Sequence, residues 1–321
     1  MPVAILETTE NAVVREALNG LAAPQKTLSP WLFYDERGSV LFEHITALPE
    51  YYLTRTERAI FAAEAAQLAA RLAPVTLAEL GAGSAAKTGI LLRAFVAAQG
   101  TVLYQPIDIS ASALDEAAAS IAAHVPGVRV AAQVANYITE RYNIERNPGE
   151  HVLALYIGSS IGNFSPSEAT GILANLRAHL EPGDHLLLGT DLAPSAHKPV
   201  ATLLAAYDDA AGVTAAFNLN VLTRLNREAG ADFDLRHFAH RARWNAAASR
   251  IEMHLESLAA QTITVAGERF TFAAGETIHT ENSYKFTAAS VGALLDAAGF
   301  AREEIFTDPQ QTFAVTLARA V

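Results

Sequence analysis

The sequence predicts an α/β protein: a mainly parallel sheet covered by helices on both faces, interrupted by an α+β insert. Three observations support this. From about Thr54, short apolar runs alternate with amphipathic helical stretches. Those runs are nearly continuous in apolar residues, as strands buried on both faces must be. The rhythm then breaks at Ala193-Pro194, and part of the chain beyond that point has a two-residue period.

Each element has its own signal. Thr54 and Glu57, in T-R-T-E, read as a capping box opening a helix that runs to Leu72. VTLAEL (Val75–Leu80) is a strand entering a glycine turn, and Lys87–Ala98 is the next helix. TVLYQPIDIS, VRVAAQVANY, HVLALYIGSS and HLLLGTDL read as the second to fifth strands. The helices SALDEAAASIAAHV and SPSEATGILANLRAHL lie among them. Residues 199–226 read as helical. In RIEMHL, Ile251, Met253 and Leu255 share one strand face, and Glu252, His254 and Glu256 the other. A helix, AASVGALLDAAGF, and strands around EEIFTDP and TFAVTLA close the chain.

Bulk properties exclude several classes. With 23 basic against 34 acidic residues the net charge is −11, which argues against a nucleic-acid or anionic-membrane partner. Without cysteine, disulfides, thiolate catalysis and cysteine metal sites are impossible. The histidines form no H-x-x-x-H pair, and His237 and His240 read as solvated, so no metal is expected. The first twenty residues lack a basic region followed by a long apolar core, so no signal peptide is expected. A cytoplasmic monomer is the expectation.

The stretch LAELGAGSAAKTGILL (Leu77–Leu92) carries the clearest chemistry. Gly81, Gly83 and Ala86 give G-x-G-x-x-A between a strand and a helix. Asp108 comes about 20 residues on, at a second strand's end, where a carboxylate can accept from ribose hydroxyls. A phosphate-binding loop fits poorly, because Ala86 stands where the backbone needs glycine. The turn alone leaves nicotinamide dinucleotides and S-adenosylmethionine both open.

Six motifs in one order narrow the choice: WLFYDERGSVLFEHITALPEYYLTRTE, YIGSSIGNFSP, LLLGTDL, AYDDAAGVTAAFN, RIEMHL and TENSYKF. From roughly residue 20 onward the chain resembles the S-adenosylmethionine-dependent histidine Nα-methyltransferases of ergothioneine biosynthesis. The resemblance implies a Rossmann-like class I methyltransferase sheet with a second, inserted α+β substrate-binding domain. The corresponding division is 61–194 with 287–321 for the cofactor domain, and 1–60 with 195–286 for the substrate domain. It implies a cofactor site at Gly81, Gly83, Lys87 and Asp108, with Asn136 and Tyr137 near the adenine. The family often has an acid where Asn136 stands.

For L-histidine, the resemblance points to Tyr51, Asn163 and Tyr207 around the amino-acid backbone. It gives Glu281 and Ser283 to the imidazole, with Gly158 and Met253 lining the site. Residues two apart in a strand share a face, so Glu281 and Ser283 can converge on one ring. Asn163 is expected to orient the amine and Tyr34 to accept a hydrogen bond or relay a proton towards water. Tyr34, Phe42, Tyr51 and Tyr52 are expected to line room for a methylated ammonium. Three methyl transfers to the α-amino nitrogen are implied, giving hercynine. A same-fold enzyme for tryptophan or a histidine thiol derivative, or an NAD-dependent oxidoreductase, is the alternative.

Overall fold

A computed structural model describes residues 9–321 apart from 84, 86, 139 and 141. The chain divides into two compact units: 1–52 with 199–283, and 53–198 with 284–321.

The second unit is built on α3 (Tyr52–Leu72), β1 (Val75–Leu80), α4 (Thr88–Gln99), β2 (Val102–Asp108) and α5 (Ala111–His124). After these come β3 (Val128–Val130), β4 (Gln133–Val134), β5 (His151–Tyr156), α6 (Pro166–Arg177) and β6 (His185–Asp191). α9 (Ala288–Ala297), β12 (Phe300–Thr307) and β13 (Phe313–Ala320) complete it. One sheet runs β12-β13-β6-β5-β1-β2-β3, with β4 also beside β2. The strands from β6 to β3 are parallel, whereas β13 and β12 are antiparallel additions at one edge. The chain moves outward from β1 in one direction through β2 and β3, and in the other through β5 and β6. The C-terminal ends of β1 and β5 therefore form a switch point, where open α/β sheets hold ligands.

Burial explains why these segments are strands. All six residues of β1 are buried, as are the last six of β6. Helix starts are set by side chains. Ser165 and Glu168 form a capping box on α6 behind Pro166, and Thr287 and Ser290 do so on α9. At the end of β6, buried Asp191 holds two buried lysines, Lys198 at 2.7 Å and Lys285 at 2.8 Å.

The first unit contains α1 (Thr9–Ala22), a 3₁₀ turn at Pro30–Phe33, α2 (Glu36–Thr46), α7 (Val200–Tyr207) and α8 (Val213–Glu228). Strands β7 (Phe238–Asn245), β8 (Arg250–Ser257) and β11 (Thr277–Tyr284) form a sheet in the order β11-β8-β7. Strands β9 (Gln261–Val265) and β10 (Glu268–Phe272) form an antiparallel pair.

Several expectations need correction. The helix from Thr54 begins two residues earlier, and Glu57 does not cap it; its carboxylate accepts instead from the Gly158 amide and the Lys87 ammonium. VRVAAQVANY is two short strands rather than one. The helical stretch 199–226 breaks at Asp209, whose carboxylate accepts from the Val213 and Thr214 amides and so opens α8. His254 is buried and stacks on His279 at 4.7 Å, although it alternates with two glutamates in the strand. His240 is buried too.

Candidate functional site

In the second unit the candidate residues lie on the turns after β1, β4 and β5 and at the end of β2. The glycine turn needs left-handed backbone at Gly81 (φ 66°) and Gly83 (φ 50°), which glycine adopts without steric cost. Among the described residues, its chain neighbours aside, no atom lies within 4 Å of where a Gly83 Cβ would stand. Ala86, the third fingerprint position, lies outside the described residues.

Asp108 ends β2 beside this turn. Its Oδ2 accepts from the Gly83 amide at 3.1 Å and its Oδ1 from the Ser110 amide at 2.9 Å. Two backbone donors fix the carboxylate, while each oxygen keeps a lone pair for another donor. Below the turn, Glu79 is buried and accepts from Thr88 Oγ1 at 2.7 Å and Tyr104 Oη at 2.5 Å. Burial pushes its carboxyl up to about 7.

Asn136 folds onto its own segment: its Oδ1 accepts from the Ile138 amide at 3.1 Å, an Asx turn. Its Nδ2 remains as a pair of donors. Tyr137 sets its ring edge-on to Tyr156, with centroids 5.7 Å apart. Its hydroxyl lies 3.3 Å from where a Gly81 Cβ would stand, and burial pushes the phenol up to about 12. Tyr137 therefore braces the glycine turn.

Lys87 pairs with Glu57, which is 0% exposed. Gly158 comes just after β5 with φ 79° and gives its amide to the same carboxylate at 2.8 and 3.0 Å. Asn163 ends the short 3₁₀ turn Ser160–Asn163. In that turn Gly162 passes so close to the backbone of Tyr284 that a Cβ would lie 2.8 Å from the carbonyl oxygen.

The first unit gathers the other candidates around α7, α8 and β11. Tyr34 and Tyr51 both set their rings edge-on to Phe42, at 5.8 and 6.4 Å. Tyr51 meets Tyr207 at 6.2 Å, and Tyr207 Oη bonds to Ser283 Oγ at 2.7 Å. Glu281 and Ser283 both lie in β11 and are buried, at 8% and 3% exposed. Met253 in β8 is a core residue at 2% exposed.

Two supports were not evident in the sequence. Asp35 caps α2, and α8 grips it through Asn220 and Arg227, both at 2.7 Å. Arg224 donates to the carbonyls of Trp31 and Leu32 and lies over the Trp31 ring. Tyr34 is thereby held from α8. Behind Tyr207, His240 Nε2 meets the Tyr207 carbonyl and its Nδ1 meets Asn218 Nδ2, both at 2.8 Å. Asn218 Oδ1 in turn accepts from Thr280. Burial holds the His240 imidazole below its usual range, and the two contacts match a neutral ring protonated on Nε2. The i, i+3 spacing of His237 and His240 gave no sign of this.

A family model described as histidine-specific, SAM-dependent methyltransferase matches residues 13–320. The chain belongs to this family. The histidine N-alpha-methyltransferase of Mycolicibacterium smegmatis is 43% identical over 319 residues, 97% of this chain and 96% of that protein. Its namesake from Mycobacterium tuberculosis is 42% identical over 309 residues, 96% and 94% of the two chains. A solved structure of a possible exported protein from Bordetella parapertussis shares the fold alone. It has a TM-score of 0.51 and 15% identity, covering 97% of this chain and 95% of that one. The second unit's sheet is thus the Rossmann-like sheet of a class I, S-adenosylmethionine-dependent amino-acid N-methyltransferase. Among the described residues no cluster of acidic or histidine side chains could hold a metal, and no helix is long and apolar enough to cross a membrane.

Proposed function

We propose that the protein transfers methyl groups from S-adenosylmethionine to the α-amino nitrogen of L-histidine, three times, giving hercynine for ergothioneine biosynthesis. Two features support the cosubstrate. Among the described residues beyond its chain neighbours nothing crowds Gly83, and Asp108 is already fixed with lone pairs to spare. Ribose hydroxyls suit Asp108, the adenine amino group or ring suits Asn136, and the amino-acid carboxylate suits the Lys87 cation.

The observation that carries histidine over other amino acids is the buried pair Glu281 and Ser283. An imidazole presents one N–H donor and one acceptor, and a carboxylate beside a hydroxyl matches both. Tyr51 and Tyr207 offer phenol donors to the substrate carboxylate without adding a competing cation. The proposal also assigns Gly158 and Met253 to substrate binding.

Bound S-adenosylmethionine supplies a methyl group on a sulfonium, open to in-line displacement. The protein's own residues then govern position and protonation. An ammonium has no lone pair, so the amine must be neutral at attack. Its ordinary value, about 8 in peptides, leaves only a modest distance to neutral pH. Asn163 orients the amine through its side-chain carbonyl, and Tyr34 accepts a hydrogen bond from the amine or relays its proton towards water. Aromatic faces at Tyr34, Phe42 and Tyr51 favour the growing cation.

A cytoplasmic monomer with no nucleic-acid or membrane partner completes the proposal. The test is incubation with S-adenosylmethionine and a panel of free amino acids, with products read by mass spectrometry. Methylation of tryptophan or a histidine thiol derivative in preference to histidine would overturn the assignment.

A further inference from the structure

Glu57 lies inside α3 with a fully buried carboxylate, and no step of the methyl transfer uses it. Both of its partners are donors. Oε1 and Oε2 accept from the Gly158 amide at 2.8 and 3.0 Å, and Oε2 also accepts from the Lys87 ammonium. The carboxylate packs on β6 as well: a Cβ at Gly189 would lie 2.1 Å from Oε1. One side chain therefore ties the turn after β1 to the turn after β5, at the C-terminal ends of three adjacent strands.

This arrangement sets the direction of a flexible cation. The Lys87 side chain is 21% exposed, and its ammonium has three N–H donors. The bond to a buried, immobile anion spends one of them and orients the other two. The carboxylate is the only anionic group of S-adenosylmethionine. We propose that Glu57 is a positioning residue that aims the Lys87 ammonium at that carboxylate while locking the Gly158 amide. The proposal rests on the methyltransferase reading. The chemistry explains why the residue is glutamate. An amide offers one acceptor and one donor, so glutamine would set an N–H against Lys87 or against the Gly158 amide in either orientation.

The test is calorimetry with two probes that share the nucleoside and thioether. S-adenosylhomocysteine carries the amino-acid carboxylate, and 5′-methylthioadenosine lacks it. Lys87→Met is expected to weaken S-adenosylhomocysteine about tenfold or more while leaving 5′-methylthioadenosine within about twofold. Glu57→Gln should show the same selective loss, about tenfold, and the double variant should bind no worse than Lys87→Met alone. Glu57→Asp keeps the anion but falls short of both donors, and is read in the same way should Glu57→Gln not fold. Equal loss of both probes in the Glu57 variants, no loss, or full additivity with Lys87→Met would overturn the positioning role. An unchanged S-adenosylhomocysteine affinity in Lys87→Met would overturn it too, yet leave the methyltransferase reading standing. Failure of the wild type to bind either probe would overturn both.

Discussion

Replacing Tyr207 with phenylalanine removes one oxygen from a buried pair and leaves the ring in place. In the native protein the Tyr207 hydroxyl meets Ser283 Oγ at 2.7 Å, and the two residues are 6% and 3% exposed. A neutral hydrogen bond contributes about 1 kcal/mol net, and stranding its partner adds a desolvation cost of similar size. The ring is kept, so no side-chain cavity opens. The expected loss is about 1–2 kcal/mol, read from urea unfolding at constant slope. In a cycle with Ser283→Ala, the two losses should fall short of additivity by about 1 kcal/mol. The Michaelis constant for histidine should rise about tenfold, because a carboxylate loses one phenol donor, while S-adenosylhomocysteine affinity stays unchanged. Additive losses would refute the structural pairing. Equal weakening of both ligands would refute the assignment of Tyr207 to histidine.

The same geometry sets other outcomes. Asp108→Ala should weaken S-adenosylmethionine about a hundredfold by calorimetry, the cost of two charge-assisted hydroxyl bonds; unchanged affinity would remove Asp108 from the ribose site. Gly189→Ala should displace Glu57, since the new methyl would lie 2.1 Å from its carboxylate oxygen. Its thermal midpoint should fall by several degrees and its S-adenosylhomocysteine affinity should drop. The buried histidines should cost stability as the pH falls, opposite in sign to Glu79, whose raised carboxyl takes up its proton more readily in the native protein. Burial first, and then the neighbouring His279, draw the His254 imidazole from 6.5 down to about 4. Its native form thus binds fewer protons than the unfolded chain once the pH falls below 6.5. The His254 contribution is full above that value and is lost progressively down to about 4, amounting to about 2 kcal/mol at pH 5. His240 and His279 are lowered by burial as well and add in the same direction. A His254 imidazole that titrates near 6.5 in the native protein, read by NMR, would contradict this.

The parallel sheet was legible because its strands are buried on both faces. VTLAEL is buried throughout and matches β1 residue for residue. Where burial is one-sided or interrupted, the pattern misleads. Strand β7, FAHRARWN, mixes two arginines with an inward Phe238 and His240 and did not stand out as a strand. The Asp209 cap splits a run of good helix formers, because two amides bind its carboxylate more favourably than continuing the helix would. The site divides in the same way. Asp108 and the glycine turn are local in sequence and could be read. The pairings Glu57 with Lys87 and Gly158, Arg224 with Trp31, and His240 with Tyr207 join residues far apart in the chain. Nothing in the local pattern of either partner announces such a pair.

The central claim is that the α-amine of histidine receives three methyl groups. Its most direct measurement is a time course with purified protein, histidine and excess S-adenosylmethionine, read by mass spectrometry with fragmentation. The expected record shows mono-, di- and trimethylhistidine in succession, every methyl on the α-nitrogen, with Glu281→Ala losing histidine turnover at unchanged S-adenosylhomocysteine affinity. Methylation on the imidazole, an end at the monomethyl product, or full activity in the Glu281 variant would contradict the account.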